Sequence, residues 1–578
     1  MSKACPSPLL GLLLSAAVSS AAEPNLILHN GKVVTVDKTF AVQQAMAVDG
    51  NRIVQVGSDD QVLKLKGPRT ELLDLEGRMV LPGLMDSHTH PTGASMTEFD
   101  HPIPPMESIA DVLAYFRDRA TMLKEGEWIV LQQVFITRLR EQRYPTRAEL
   151  DRVAPKHPAV FRTGPDASFN SLALKLSGIG KDFKIPEGVP GRIEKDDTGE
   201  PTGILRSFAN YVKLPSASGK AATEEQKLVR LKQLFKDYNS VGITSICDRD
   251  ANVGALDLYK KLRERGDLTL RVSVSQHIDT LGPMTNIQQN IQRVAADPLF
   301  KDKDEMLRII GIKTYLDGGM LTGSAYMREP WGVSDIYAIT DPDYRGVLFI
   351  PKERLLPIVR TAVEAGLQFT AHSVGDGAVH ALLEVYEEVN KDVPVRTTRP
   401  CITHANFQSR EAAHKLSQLG VVVDIQPAWL YLDTRTLVKQ FGRERLRWFQ
   451  PLRSIFEAGG VAGGGSDHMQ KIGSMRSINP YNPFLGMSTA IMRQAKWFQG
   501  ALHPEEALTR EQAIRFYTGN NAYLLFKEDK LGSLEPGKLA DFIVLETDLL
   551  SCPQEKIMET RVLRTYLNGQ LVFKSGRP

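Results

Sequence analysis

Two hydrophobic patterns divide the chain. Near its start, short apolar runs alternate with turn residues: Leu26 to His29 before Asn30-Gly31, Lys32 to Val36, Ala45 to Val48 before Asp49-Gly50, and Arg52 to Val56. The end repeats the style with Phe542 to Leu545, Val562 to Leu567 before Asn568-Gly569, and Leu571 to Phe573. Asn-Gly and Asp-Gly between such runs favour the backbone of tight hairpin turns, so both ends predict antiparallel strands. One small β-sandwich domain built from residues 23–80 and 526–578 is the expectation.

The middle reads differently. Eight short β-branched or apolar runs follow in order: Val80 to Asp86, Thr244 to Cys247, Leu270 to Ser275, Ile309 to Tyr315, Phe369 to Ala371, Cys401 to Thr403, Val421 to Ile425 and Val461 to Gly465. Segments with apolar residues three and four apart separate them, for example Arg354 to Ala365 and His380 to Val389; that spacing is helical. Alternating strands and helices imply a parallel sheet, and eight such units are the number that closes a TIM (β/α)8 barrel. The fold class expected is therefore α/β, with a barrel over residues 81–525 joined to the terminal sandwich. Residues 92–240 fall between the first two runs and hold two more strand-like stretches, Trp128 to Val134 and Ala159 to Thr163. This segment predicts an insertion over the barrel mouth, where substrate selectivity is commonly set.

Chemistry-bearing side chains sit where the runs end. The first run leads into Asp86-Ser87-His88-Thr89-His90. Residues i and i+2 of a strand share a face, about 6.5–7 Å apart, and two neutral imidazoles so placed can converge on one metal ion. Lys313, His372, His404 and Asp467 each close a later run. Taken singly, such a His is more often a satisfied hydrogen-bonding residue than a ligand, and such a Lys is usually a solvated charge. Taken together, four His, one Lys and one Asp on strands one, four, five, six and eight mark a site, because barrel active sites lie at the C-terminal strand ends.

Composition narrows the class. The 578 residues are 42% hydrophobic and 24% charged, with a formal net charge of +3 and no long Lys/Arg block. That leaves no electrostatic footprint for nucleic acid. Lys3, the apolar stretch Leu9 to Val18 and Ser20-Ala21-Ala22 before Glu23 have the three-part order of an export signal over residues 1–22, too short for a permanent membrane anchor. A periplasmic or secreted protein without stable membrane insertion is expected. Cys5 would leave with the signal, and Cys247, Cys401 and Cys552 are too widely spaced for a metal motif or a disulfide framework, so free thiols are expected.

The strand-end set resembles the amidohydrolase superfamily, and more narrowly the amidohydrolase family 3 branch that is YtcJ-like or N-substituted formamide deformylase-like. The likeness runs from about residue 25 to 573. It is carried by Asn30-Gly31-Lys32, Leu81-Pro82-Gly83-Leu84-Met85-Asp86-Ser87-His88-Thr89-His90, Lys313-Thr314-Tyr315-Leu316-Asp317-Gly318-Gly319, His372-Ser373-Val374-Gly375-Asp376, Thr403-His404-Ala405 and Gly465-Ser466-Asp467. The tail from Gly532-Ser533-Leu534-Glu535-Pro536-Gly537-Lys538 to Leu539-Ala540-Asp541-Phe542 completes it. The resemblance implies a site for two metals, commonly zinc. His88, His90 and Asp467 would hold one ion and His372 and His404 the other, with Lys313, carboxylated on its amine, as the bridge. It implies hydrolysis of a C–N bond in a small, non-peptide, amide-type substrate by a metal-activated hydroxide, with Asp467 as base. Homo-oligomers are common among such barrels.

The chain departs from that pattern where many relatives carry Asp-Gly-His: Thr163-Gly164-Pro165-Asp166-Ala167-Ser168-Phe169-Asn170-Ser171 has no His, which puts the substrate in question. Asn170, Asp317, Gln426 and Trp429 are expected on loops facing the mouth. Arg206 and Arg249 are candidates for a substrate carboxylate, or for internal ion pairs. His468 would point away from the metals, and the glycines after Asp317 suggest a flexible loop or a plain turn. Ester, lactone or phosphoester hydrolysis suits the same constellation, and a non-catalytic barrel is the reading from another class.

Overall fold

The computed structural model describes residues 23–576 except 133, 165, 187–190, 207 and 215–220. The export-signal reading of residues 1–22, and Cys5 with it, lies outside the described residues.

Eight strands form one parallel sheet: β1 Leu84–Thr89, β2 Ile243–Ala251, β3 Arg271–His277, β4 Leu307–Tyr315, β5 Gln368–Ser373, β6 Cys401–His404, β7 Val422–Ile425 and β8 Val461–Gly464. They pair in chain order. The ring closes between β8 and β1, where Thr89 bridges His468 in parallel, Asp467 N–H donates to the His88 carbonyl at 2.8 Å and His90 N–H to the His468 carbonyl at 2.8 Å. Buried Asp86 seals that seam by accepting from the backbone N–H groups of His88 and Ser466, each at 3.0 Å. Strands covered on both faces read as unbroken apolar runs, not as alternation, which is why β1, β6 and β7 are buried along their whole length.

Helices wrap the outside. Glu224–Ser240 starts at a capping box between Thr223 and Gln226, and Arg410–Leu419 stops where Gly420 takes φ 69°; both devices satisfy backbone groups that the helix ends leave open. The segments expected from Arg354 and His380 are the helices Lys352–Glu364 and Asp376–Asn390.

The run Val80 to Asp86 is not one strand. Met79–Pro82 pairs antiparallel with Phe542–Leu545 (Val80 opposite Val544), and the barrel strand begins only at Leu84. Gly83 makes the change of sheet possible, since a Cβ there would lie 2.1 Å from Thr244 Oγ1. The strand Met79–Pro82 belongs to a six-stranded sheet with Gln570–Lys574, Val562–Leu567, Phe542–Leu545, Lys32–Val34 and Val42–Gln43. A four-stranded sheet of Leu26–His29, Ala45–Asp49, Arg52–Gly57 and Glu71–Asp74 packs against it through Leu28, Met46, Val48, Val80 and Val544. A fourth sheet interrupts the barrel between β1 and β2, made of Ile129–Gln132, Ala159–Thr163, Asp166–Phe169, Arg192–Lys195 and Pro201–Arg206.

Candidate active site

All six strand-end residues named from the sequence meet at one end of the barrel. His88 and His90 leave β1 with their Nε2 atoms 3.3 Å apart. Asp467 Oδ1 stands 3.1 Å from His90 Nε2 and 3.5 Å from His88 Nε2. The ligand atoms of these three residues lie within 4.8 Å of one another. The His404 ring, at the end of β6, is 4.9 Å from that of His88 and 4.4 Å from that of His372 on β5. Lys313 on β4 is buried, its Nζ 4.2 Å from the Tyr315 ring centre.

Backbone geometry aims two of these groups inward. His404 has φ 73° and Asp467 φ 54°; left-handed backbone at a non-glycine residue costs about 1–3 kcal/mol and gathers at functional positions. Gly465, two residues before Asp467, is held by space: a Cβ there would sit 2.9 Å from the Cβ of His88. Gly465→Ala is therefore expected to push β1 away from β8, lower stability by about 1–3 kcal/mol and weaken metal binding; calorimetric unfolding and metal titration read both.

Neighbouring groups fix each imidazole. Asp424 Oδ1 lies 3.0 Å from His88 Nδ1, and Gln426 Oε1 2.8 Å from His404 Nδ1. Each ring therefore donates through Nδ1 and offers the Nε2 lone pair, the usual arrangement behind a metal-ligating His. Burial holds His88, His372 and His404 well below the ordinary histidine value, so they are neutral donors. His90 is pulled down by burial, but its bond to Asp467 and the nearby carboxylates outweigh this and leave it raised. Burial pushes Asp467 up, and the His90 bond with the other histidines brings it below the ordinary carboxylate value. Lys313 is lowered, chiefly by burial. His372 Nε2 is buried without a hydrogen-bond partner among the described residues, Asp317 Oδ1 being 3.8 Å away. An orphaned imidazole nitrogen beside converging neutral donors and a carboxylate fits divalent metal, zinc included.

The weaker pocket candidates divide. Trp429 lies beside the site, its ring stacked on His404 at 4.8 Å. Asn170 does not face the mouth: it caps the helix Ser171–Leu176, accepting from Ala173 and Ala159 N–H groups and donating to the Ala154 and His157 carbonyls. Asp317 lines the cavity beside His372 and has a structural task as well, its carboxylate taken by the N–H groups of Tyr326, Val374 and Gly375, each at 2.9 Å. Arg206 is engaged internally, by Glu194 at 2.7 Å and Asp166 at 3.4 Å, with Tyr144 under its guanidinium. Arg249 is wholly buried inside the barrel, paired with Asp424 at 3.4 Å rather than with Asp248 or Asp250. His468 turns away, bonded to the Tyr238 hydroxyl and the Gln470 and Lys471 carbonyls. The loop after Asp317 is tightly packed: a Cβ on Gly318 would meet Ser324 Oγ at 2.2 Å.

Two contributors went unseen in the sequence. Asp424 interrupts the apolar run Val421-Val422-Val423-Asp424-Ile425, and a charge inside a central strand was the available signal. Asn479, which donates to the Asp467 backbone oxygen at 2.7 Å and to Oδ2 at 3.2 Å, gave none. A cavity of about 580 Å³ opens onto His372 and Tyr315, walled by Gln132 and Arg162 of the inserted sheet and by Phe349.

The amidohydrolase family model matches residues 71–573, most of the chain. The chain belongs to the amidohydrolase family. It is an enzyme, a hydrolase of carbon–nitrogen bonds other than peptide bonds. An N-substituted formamide deformylase of Arthrobacter pascens is 29% identical over 559 residues, covering 95% of this chain and 98% of that protein. A Bacillus subtilis (strain 168) protein named "Putative amidohydrolase YtcJ" is 24% identical over 560 residues, covering 95% and 99%. The crystal structure of an uncharacterized metal-dependent hydrolase from Pyrococcus horikoshii OT3 shares the fold, with a TM-score of 0.66 at 22% identity over 92% of this chain and 99% of that one.

Proposed function

We propose that this amidohydrolase is exported and cleaves the C–N bond of a small amide-type substrate at a site for two divalent ions, zinc being the metal the donor set suits best. The observation that carries the reading is the convergence of His88, His90 and Asp467 within 4.8 Å, with Lys313, His372 and His404 closing the same ring of strand ends. His88, His90 and Asp467 would hold one ion, and His372 and His404 the other. Lys313 would lie between them as a carbamate, because a bare ammonium would repel the cations whereas a carboxylated amine supplies anionic oxygens. A bound divalent ion supplies Lewis acidity and lowers the pKa of a coordinated water.

The protein groups do the positioning and the proton transfer. Asp424 and Gln426 fix the tautomers of His88 and His404. Trp429 walls the site on the His404 side. Asp467, its Oδ2 steadied by Asn479, takes a proton from the attacking water and returns it to the leaving nitrogen, work that suits a carboxylate within hydrogen-bond reach. The Arthrobacter relative is named for N-substituted formamides, and those are the first substrates to try.

The test is metal content per chain on protein purified without chelator, alongside turnover of N-substituted formamides, other amides, esters, lactones and phosphoesters. About two ions with amide turnover is the expected result. No metal uptake and no turnover of any class in a folded protein would overturn it. Chelation is expected to abolish turnover and lower the unfolding temperature, since metal bound only by the native state stabilises it; zinc or manganese should restore both. Intact mass under native conditions reads the carboxylation of Lys313. Export is tested by fractionating cells that express the full chain, with and without residues 1–22.

A further inference from the structure

The other end of the barrel holds a second cavity, of about 440 Å³. Its walls come from the strand starts, with Arg271 on β3 and Arg308 on β4, from Arg399 just ahead of β6, and from the segment 526–531. Arg308 precedes Lys313 by five residues on β4, which at about 3.3 Å per residue places the two roughly 16 Å apart. This floor cavity is therefore separate from the histidine site.

Its charges do not balance. Arg271 is matched by Asp541 at 2.7 Å, Arg399 by Glu528 at 3.0 Å and Lys530 by Glu305 at 2.5 Å. Asp304 is taken by Arg263. Three lining cations, Lys303, Arg308 and Lys527, and one lining carboxylate, Asp529, form no ion pair among the described residues; Lys303 and Asp529 are exposed, which leaves Lys527 and Arg308 as the unpaired cations drawn in from water. Lys527 is 6% exposed, and its ammonium donates to the Glu305 carbonyl at 3.0 Å. Arg308 reaches the Phe526 carbonyl through Nη1 at 3.3 Å, while its buried Nε meets no acceptor. Charge withdrawn from water without a counter-charge is costly. Burial, helped by Arg271 and Arg308 and opposed by Asp541 and Glu305, brings Lys527 down to about 7.

We infer that this floor cavity binds a phosphate-type oxyanion, held by the Lys527 ammonium and the Arg308 guanidinium. A guanidinium fork beside an ammonium suits an oxyanion with several acceptor oxygens. The volume falls within the roughly 300–1,000 Å³ of small-molecule sites, so a phosphate ester fits as well as the free ion. An anion there would tie the segment 526–531 to the floor of β3 and β4.

Inorganic phosphate and a sugar phosphate are titrated into the full protein by calorimetry and thermal unfolding, against chloride at equal ionic strength. Lys527→Gln, Arg308→Gln and His372→Asn are run in parallel, because phosphate also has affinity for a metal centre. Phosphate is expected to raise the unfolding temperature beyond chloride, with binding weakened about tenfold or more in each floor variant and unchanged in His372→Asn. Tighter binding of the ester than of the free ion assigns the cavity to an ester, and equal binding to the inorganic ion. No binding of either, or binding lost in His372→Asn and kept in the floor variants, overturns the proposal. Should Lys527→Gln not fold, Arg308→Gln, at a less buried position, decides the question alone.

Discussion

Asp467→Asn is expected to yield a folded chain that keeps most of its metal and turns substrate over about 10²–10⁴-fold more slowly, the usual weight of a positioned acid–base group. The substitution is isosteric, so the left-handed turn at φ 54° and the seam between β8 and β1 should survive. Asn479 anchors the residue mainly through its 2.7 Å bond to the backbone oxygen and only secondarily through the 3.2 Å contact to Oδ2. The carboxamide can therefore turn its NH2 toward Asn479 at the loss of one weak contact and keep its oxygen on the side of His88 and His90. What it cannot do is accept a proton and give it back. Metal content, circular dichroism and kcat on one preparation separate these outcomes. Near-normal kcat would remove Asp467 from the proton path, and loss of metal in parallel with activity would reduce it to a ligand.

Much of this architecture was legible because buried parallel strands announce themselves as apolar runs, and eight of them with helical spacers leave few alternatives. The boundaries were less so. The stretch Val80 to Asp86 reads as one strand, since nothing in an unbroken apolar run records that the chain passes from one sheet to another at Gly83. The strand-end histidines, Lys313 and Asp467 stood out only as a set, since each alone has an ordinary structural use and six of them on five strand ends do not. Asn170 misled because a short polar side chain after a strand serves a ligand or a helix end equally well. For Asn170 the cap was readable, because Asn directly before a helical segment is a favoured N-cap. Asp317 does line the cavity, but its structural task gave no such hint, as its three backbone donors come from a loop and from just past the end of β5.

Asp424 is where fold and site depend on the same atoms, and Asp424→Leu is expected to cost about 3–5 kcal/mol of stability, the range for removing one partner of a buried charge pair. The carboxylate is fully buried. Its Oδ1 lies 3.0 Å from His88 Nδ1 and 3.0 Å from Gln426 Nε2, and its Oδ2 faces Arg249 Nε at 3.4 Å. Arg249 is also bonded to Ser275, Gln368 and Thr370, all of them neutral, so no other carboxylate pairs with it once Asp424 is gone. The same change frees Nδ1 of His88, and with it the ring's tautomer and orientation; loss of such a support typically weakens metal binding 10–100-fold, about 1.4–2.8 kcal/mol. Pairing Asp424→Leu with Arg249→Met separates the two roles. Removing the stranded guanidinium should recover part of the stability, so the double variant should be more stable than the two single losses added together would make it. Metal affinity should not recover, because His88 still lacks its acceptor. Additive stability losses would mean that the barrel holds Arg249 by its neutral partners alone, and recovered metal affinity would mean that Asp424 acts on His88 only through the charge inside the barrel.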